Sequence, residues 1–216
     1  MPSFIKQPLY RIALAGDSGV GKSSYVACIT KRRISKVAHG TIGVDFASAV
    51  VAHKGEGIKI HIWDTAGQRN YRAIIRAYFR KTAGILLFFD VTDRQSFENL
   101  STWLDEIDTA RGEDSRTPIV IVGSKVDAFT ERQVGRSEAT AFAMRESCMY
   151  EEVSAVDEHN IGAPIVRLTA EMHEPSQGPS GYQSFPQDIR AQLLPKKRSR
   201  IRDICDRLSD KYCRIS

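Results

Sequence analysis

Residues 16–23 read Gly16-Asp17-Ser18-Gly19-Val20-Gly21-Lys22-Ser23, which satisfies the pattern G-x-x-x-x-G-K-[ST] at every fixed position. Few sequence features narrow the choice of fold as far. Glycines at those positions let the backbone curl so that successive N–H groups face an anion. A lysine at the sixth place after the first glycine reaches the β- and γ-phosphates, and the hydroxyl after it is placed to ligate magnesium. By chance alone the four fixed positions recur in roughly 1% of chains of this size. The surroundings sharpen the reading. Residues 12–15 form an apolar run typical of a buried strand, and 23–30 have the pattern of a helix, whose N-terminus favours negative charge. Asp17, Ser18, Gly19, Val20, Gly21, Lys22, Ser23 and Ser24 are therefore the expected nucleotide contacts.

The 216 residues suit one domain with an appendage, and a chain that is 42% apolar and 26% charged falls in the soluble globular class. No apolar run approaches the length of a membrane-spanning helix, and residues 1–7 lack both the apolar stretch of a signal peptide and a glycine at position 2. Four cysteines, Cys28, Cys148, Cys205 and Cys213, have neither metal-binding nor redox spacing. Together these imply a reduced, cytosolic protein. The net charge of +5 is unevenly spread, because residues 174–216 carry nine Lys/Arg against five Asp/Glu. The body is nearly neutral, which argues against a nucleic-acid-binding core and makes the tail the electrostatically active part.

Residues 6–173 alternate strand-like runs with helical patterns, an α/β arrangement with a sheet covered on both faces. Strands are expected at 10–15, 45–52, 59–63, 85–90, 119–123 and 149–153, and helices at 22–31, 70–80, 95–110, 135–147 and 160–173. The short turn Lys54-Gly55-Glu56-Gly57 makes the second and third strands an antiparallel hairpin. Beyond residue 173, prolines among Ser, Gln and Gly indicate a flexible basic tail, residues 174–216.

Three further segments complete a nucleotide site. Asp64 in the run Trp63-Asp64-Thr65-Ala66-Gly67-Gln68 ends a strand, where an acidic residue can hold magnesium. Gly67 can offer its N–H to the γ-phosphate, and Gln68 can orient an attacking water. Thr41 can add its hydroxyl to the metal and its N–H to the γ-phosphate. In Ser124-Lys125-Val126-Asp127 the carboxylate of Asp127 can accept two hydrogen bonds from guanine, which adenine cannot supply, and the Lys125 stem can lie along the base.

With these segments in register, the chain resembles a Rab-family small GTPase of the Ras superfamily. The likeness is carried by IGVDF at 42–46, KIHIWDTAGQ at 59–68, YFRKTAG at 78–84 and LFFDVTDRQSFENL at 87–100. It implies a P-loop NTPase fold: a six-stranded, mostly parallel sheet with one antiparallel hairpin and helices on both faces. It also implies a GTP/GDP cycle with Mg2+, with Gln68, Thr41 and Lys22 as the catalytic set and Ser23, Thr41 and Asp64 as metal ligands. Ser154 and Ala155 then belong to the base site, and Phe46, Trp63 and Tyr78 match an aromatic triad presented to effectors. The implied partners are an exchange factor, a GTPase-activating protein acting in trans, effectors and a prenyl-binding escort, with the protein itself a monomer that regulates vesicle traffic.

The chain departs from the family pattern at four places. Ser124 stands where the family has Asn, Val156 where it has Lys, Ile34 where an aromatic packs on guanine, and Arg69 where it has Glu. The expectation is a weakened grip on the base with guanine preference retained, and altered exchange. The competing readings are a non-cycling Rab-shaped scaffold and an ATP-using enzyme, the latter disfavoured by Asp127. The final residues Cys213-Arg214-Ile215-Ser216 fit a C-a-a-X lipidation signal at Cys213. Five basic residues in the seven from Lys196 to Arg202 supply the second signal that one lipid chain needs for attachment to the cytosolic face of an intracellular membrane.

Overall fold

The computed structural model describes residues 8–31, 41, 43–67, 72–111 and 117–174. Ile34, Gln68, Arg69 and the tail with Cys213 lie outside them. Six strands form one sheet: β1 (Leu9–Ala15), β2 (Val44–His53), β3 (Glu56–Thr65), β4 (Gly84–Asp90), β5 (Ile119–Ser124) and β6 (Met149–Glu152). Their order is β2-β3-β1-β4-β5-β6, and every neighbouring pair is parallel except β2 and β3. The expected six-stranded architecture is therefore present. The hairpin turns at Lys54-Gly55, both with positive φ (48° and 84°), the backbone that two-residue turns between twisted strands require.

The helices are α1 (Lys22–Ile29), α2 (Arg72–Phe79), α3 (Arg94–Glu98), α4 (Leu100–Arg111), α5 (Arg136–Arg145) and α6 (Ala163–His173). Strand alternation explains how they pack. Ile12 and Leu14 of β1, Leu86 and Phe88 of β4, and Val120 and Val122 of β5 share one core with α1 and α6. Ala13, Ala15, Ile85, Leu87, Phe89 and Ile121 point the other way, into a second core with α2, α4 and α5. All seven residues of β4 are buried, as a central strand covered on both faces demands.

Two boundaries differ from expectation. The helix expected at 95–110 is divided at Asn99. The hydrogen-bond ladder nevertheless continues, from Asn99 N to Gln95 O and from Trp103 N to Asn99 O. The helix expected at 135–147 ends at Arg145, and Cys148 lies just before β6, where burial pushes its thiol up to about 12. Parallel strands place their carboxyl ends along one edge of the sheet, and the phosphate loop after β1, the ends of β3 and β5, and Ser154 after β6 all lie at that edge.

Candidate functional site

The loop after β1 leads into α1 through Gly21, whose φ of 91° starts the helix without a side-chain cap. Gly16 needs to be glycine, because its φ is 124° and a Cβ there would overlap the Phe88 carbonyl oxygen. Lys22 is 5% exposed and donates to the carbonyls of Gly16 (2.8 Å) and Asp17 (2.6 Å) across the loop. Burial lowers its pKa to about 8, against the opposing pull of Asp64 and Asp17. An ammonium carries three donors, so one remains for an anionic ligand.

Ser23, Thr41 and Asp64 come together although 41 residues separate the first and last. Ser23 Oγ donates to Asp64 Oδ2 at 2.5 Å, which leaves the Thr41 hydroxyl to donate to Ser23 Oγ at 2.8 Å. Burial raises the pKa of Asp64, opposed by the Ser23 hydrogen bond and by Lys22. Its other oxygen, Oδ1, is buried with no hydrogen-bond partner among the described residues. Two hydroxyls and a carboxylate with an unsatisfied buried oxygen form an all-oxygen donor set, the kind a hard dication such as Mg2+ takes. Gly67 itself sits directly on the loop, where a Cβ would overlap backbone atoms of Asp17 and Ser18.

A cleft of about 130 Å3 opens beside the loop, lined among others by Ser24, Tyr25, Ser124, Asp127, Ala155 and Val156. Asp127 Oδ1 accepts from Ser154 Oγ at 2.6 Å, which fixes the plane of the carboxylate at the cleft. Ser154 in turn accepts from the Asp157 N–H at 3.0 Å. Lys125, at φ 61°, sends its ammonium to Asp90 Oδ2 at 2.6 Å, while Asp90 Oδ1 accepts from the N–H and hydroxyl of Thr92. The Lys125 stem is thereby held at the cleft by its far end. From the opposite side the Cys28 thiol donates to the Ala155 carbonyl at 3.3 Å.

Ser124 is shorter than the family Asn, and its side chain still reaches the phosphate loop. Its buried hydroxyl lies 2.6 Å from the Val20 carbonyl and 2.9 Å from that of Phe89, within hydrogen-bond reach of both. The end of β5 approaches the loop closely enough for a hydroxyl to span the gap. Val156, by contrast, is 76% exposed at the cleft mouth.

The aromatic triad is only partly one cluster. Trp63 and Tyr78 meet edge to face with centroids 4.6 Å apart. Phe46 faces Trp63 in the β2–β3 register but packs edge-on against His61 (5.0 Å) and stays half exposed. Asp90, Asn99 and Trp103 also reach the site, and spacing alone gives them no role, although the family-like run at 87–100 contains the first two.

Residues 11–174 match the Ras family. Over 167 residues the chain is 40% identical to the Ras-related protein RABA1a of Arabidopsis thaliana, covering 77% of this chain and 76% of that protein. It belongs to the Rab branch of the Ras-family small GTPases. The Ras-related protein RGP2 of Oryza sativa subsp. japonica is similarly related, 41% identical over 166 residues, or 76% of this chain and 75% of the relative. The matched region contains every described segment of this GTPase's site, from the phosphate loop to Ser154 and Ala155.

Proposed function

We infer that this Rab-type GTPase alternates between GTP and GDP, hydrolyses GTP slowly by itself, and recruits effectors to a membrane in vesicle traffic while GTP is bound. The observation that carries the reading is the convergence, at one sheet edge, of a phosphate loop, a three-oxygen cation site and an oriented carboxylate beside a base-sized cleft. Lys22 holds the β- and γ-phosphates with the donor that the loop carbonyls leave free. Ser23, Thr41 and Asp64 hold the metal. Bound there, Mg2+ neutralises charge developing on the phosphate oxygens. Thr41 links the metal site to its own segment, so the presence or loss of the γ-phosphate is read by residues around it. Gly67 packs on Asp17 and Ser18, and Gln68 orients the attacking water. At the far end Asp127 accepts from guanine, Ala155 offers its N–H to the base carbonyl, and Lys125 lies along the ring plane. Phe46, Trp63 and Tyr78 form the effector-facing surface.

Removal of the metal tests this reading. Chelating magnesium should accelerate release of a fluorescent GDP by about tenfold or more, because phosphate charge would lose its main counter-ion. A release rate unchanged by chelation contradicts the assigned cation site.

Membrane attachment is the part carried by the tail. Lipidation of Cys213, together with the charges of Lys196, Lys197, Arg198, Arg200 and Arg202, supplies the two signals that stable anchoring takes. No helix among the described residues is long and apolar enough to cross a membrane. Cys213→Ser is expected to shift the protein from membrane fractions to cytosol, read by fractionation of expressing cells. Membrane-bound protein whose Cys213 is unmodified by mass spectrometry rules this anchor out.

A further inference from the structure

The phosphate loop contains one carboxylate of its own, Asp17, and a negative charge there opposes the ligand that the loop is built to hold. The side chain has a definite destination. Oδ1 accepts from Trp103 Nε1 at 2.9 Å and Oδ2 accepts from Asn99 Nδ2 at 2.6 Å. Both donors come from the junction of α3 and α4. Trp103 is 1% exposed within the second core, so its indole N–H is held by packing. The Asn99 amide is oriented in turn, because its Oδ1 accepts from Gln95 Nε2 at 3.1 Å and leaves its NH2 to face Asp17. Meanwhile the Asp17 main-chain carbonyl accepts from Lys22 at 2.6 Å, and Gly67 rests on the peptide joining Asp17 to Ser18.

We propose that Asp17 is a positioning residue, clasped by Trp103 and Asn99 so that the loop meets phosphate with its N–H groups and Lys22 while its carboxylate is bound to the helix junction. The inference rests on the reading of residues 16–23 as a phosphate cradle. A carboxylate serves better than a neutral side chain for this purpose. Its hydrogen bonds from the indole and the amide are charge-assisted and about twice as strong as neutral ones, so they fix the backbone whose carbonyl steers Lys22. The same geometry makes the clasp conditional. Without the donors, the carboxylate is free to turn toward the phosphates, and the loop acquires a repulsive charge.

The test is a mutant cycle read by spontaneous release of fluorescent GDP, with thermal unfolding recorded for each variant. Trp103→Phe keeps most of the apolar volume and deletes the donor. It should release GDP about tenfold faster, as expected for partial loss of a hydrogen bond to a charged group. The excess rate should shrink with added salt, because the freed charge is screened at the loop mouth. Asp17→Asn placed on top of Trp103→Phe removes the charge and should bring the rate back toward wild type. A merely structural contact gives the opposite, since the second change would only add to the damage. If Trp103→Phe does not fold, Asn99→Leu, at a half-buried position, takes its place in the same cycle. Wild-type release rates in the single variant, or a double variant no slower than the single one, overturn the clasp. Failure of the wild-type protein to bind GDP at all would instead overturn the phosphate-cradle reading beneath it.

Discussion

Asp127→Ala is expected to weaken GDP binding by roughly 10²–10⁴-fold and to erase the preference for guanine over adenine. The carboxylate is the group at the cleft that can accept from two donors on one edge of guanine. Hydrogen bonds to a charged partner are worth about 1.5–3 kcal/mol each, and two sharing one acceptor fall somewhat short of their sum. Ser154 pre-orients the carboxylate through its 2.6 Å hydrogen bond, so little ordering cost is left for binding to meet. Discrimination should fall with affinity, because adenine would no longer leave a charged acceptor unpaired. Competition of GDP and ADP against a fluorescent guanine nucleotide measures both effects. A variant that still prefers GDP by its original factor would place base recognition elsewhere in the cleft.

For Gln68→Leu, single-turnover hydrolysis of GTP should slow by about tenfold or more, with GDP affinity within roughly twofold of wild type. The amide would act on the water alone, so its loss removes positioning in the transition state and leaves ground-state binding intact. An unchanged hydrolysis rate removes Gln68 from the mechanism. A parallel loss of affinity would mean that the substitution disturbs the loop against which neighbouring Gly67 packs.

How far the sequence reveals this site depends on how far each interaction reaches along the chain. The phosphate loop is local: eight consecutive residues carry both its curl and its chemistry, so spacing alone identifies it. The strands that position it are equally legible, because β4, β5 and residues 12–15 of β1 are apolar runs and the hairpin has its turn residues in place. Helix boundaries were less so. Asn99 looks like any polar helix residue until its side chain is seen to leave the helix for Asp17, 82 positions earlier.

The fate of Ser124 was hidden for a related reason. Comparing a serine with an asparagine measures side-chain length, whereas the outcome depends on how closely the end of β5 approaches Val20, a distance set by the packing of the whole sheet. Lys125 presents the same case in reverse. Its place in the motif puts its stem along the base, but the partner that fixes its ammonium, Asp90, ends a different strand. Pairings between strand ends emerge only once the strand order is known. Asp17 shows the limit most plainly, since its place in the motif identified it as a nucleotide contact while its carboxylate is engaged by two helix residues.

The central claim is that this chain is a guanine-nucleotide switch, and its nucleotide content tests that most directly. Protein purified rapidly in the presence of magnesium and then denatured should release guanine nucleotide, chiefly GDP, in near-stoichiometric amount by ion-exchange chromatography. The slow intrinsic hydrolysis and the phosphate, metal and base contacts proposed above predict that result. Release of adenine nucleotide, or of none from folded protein, would contradict the account.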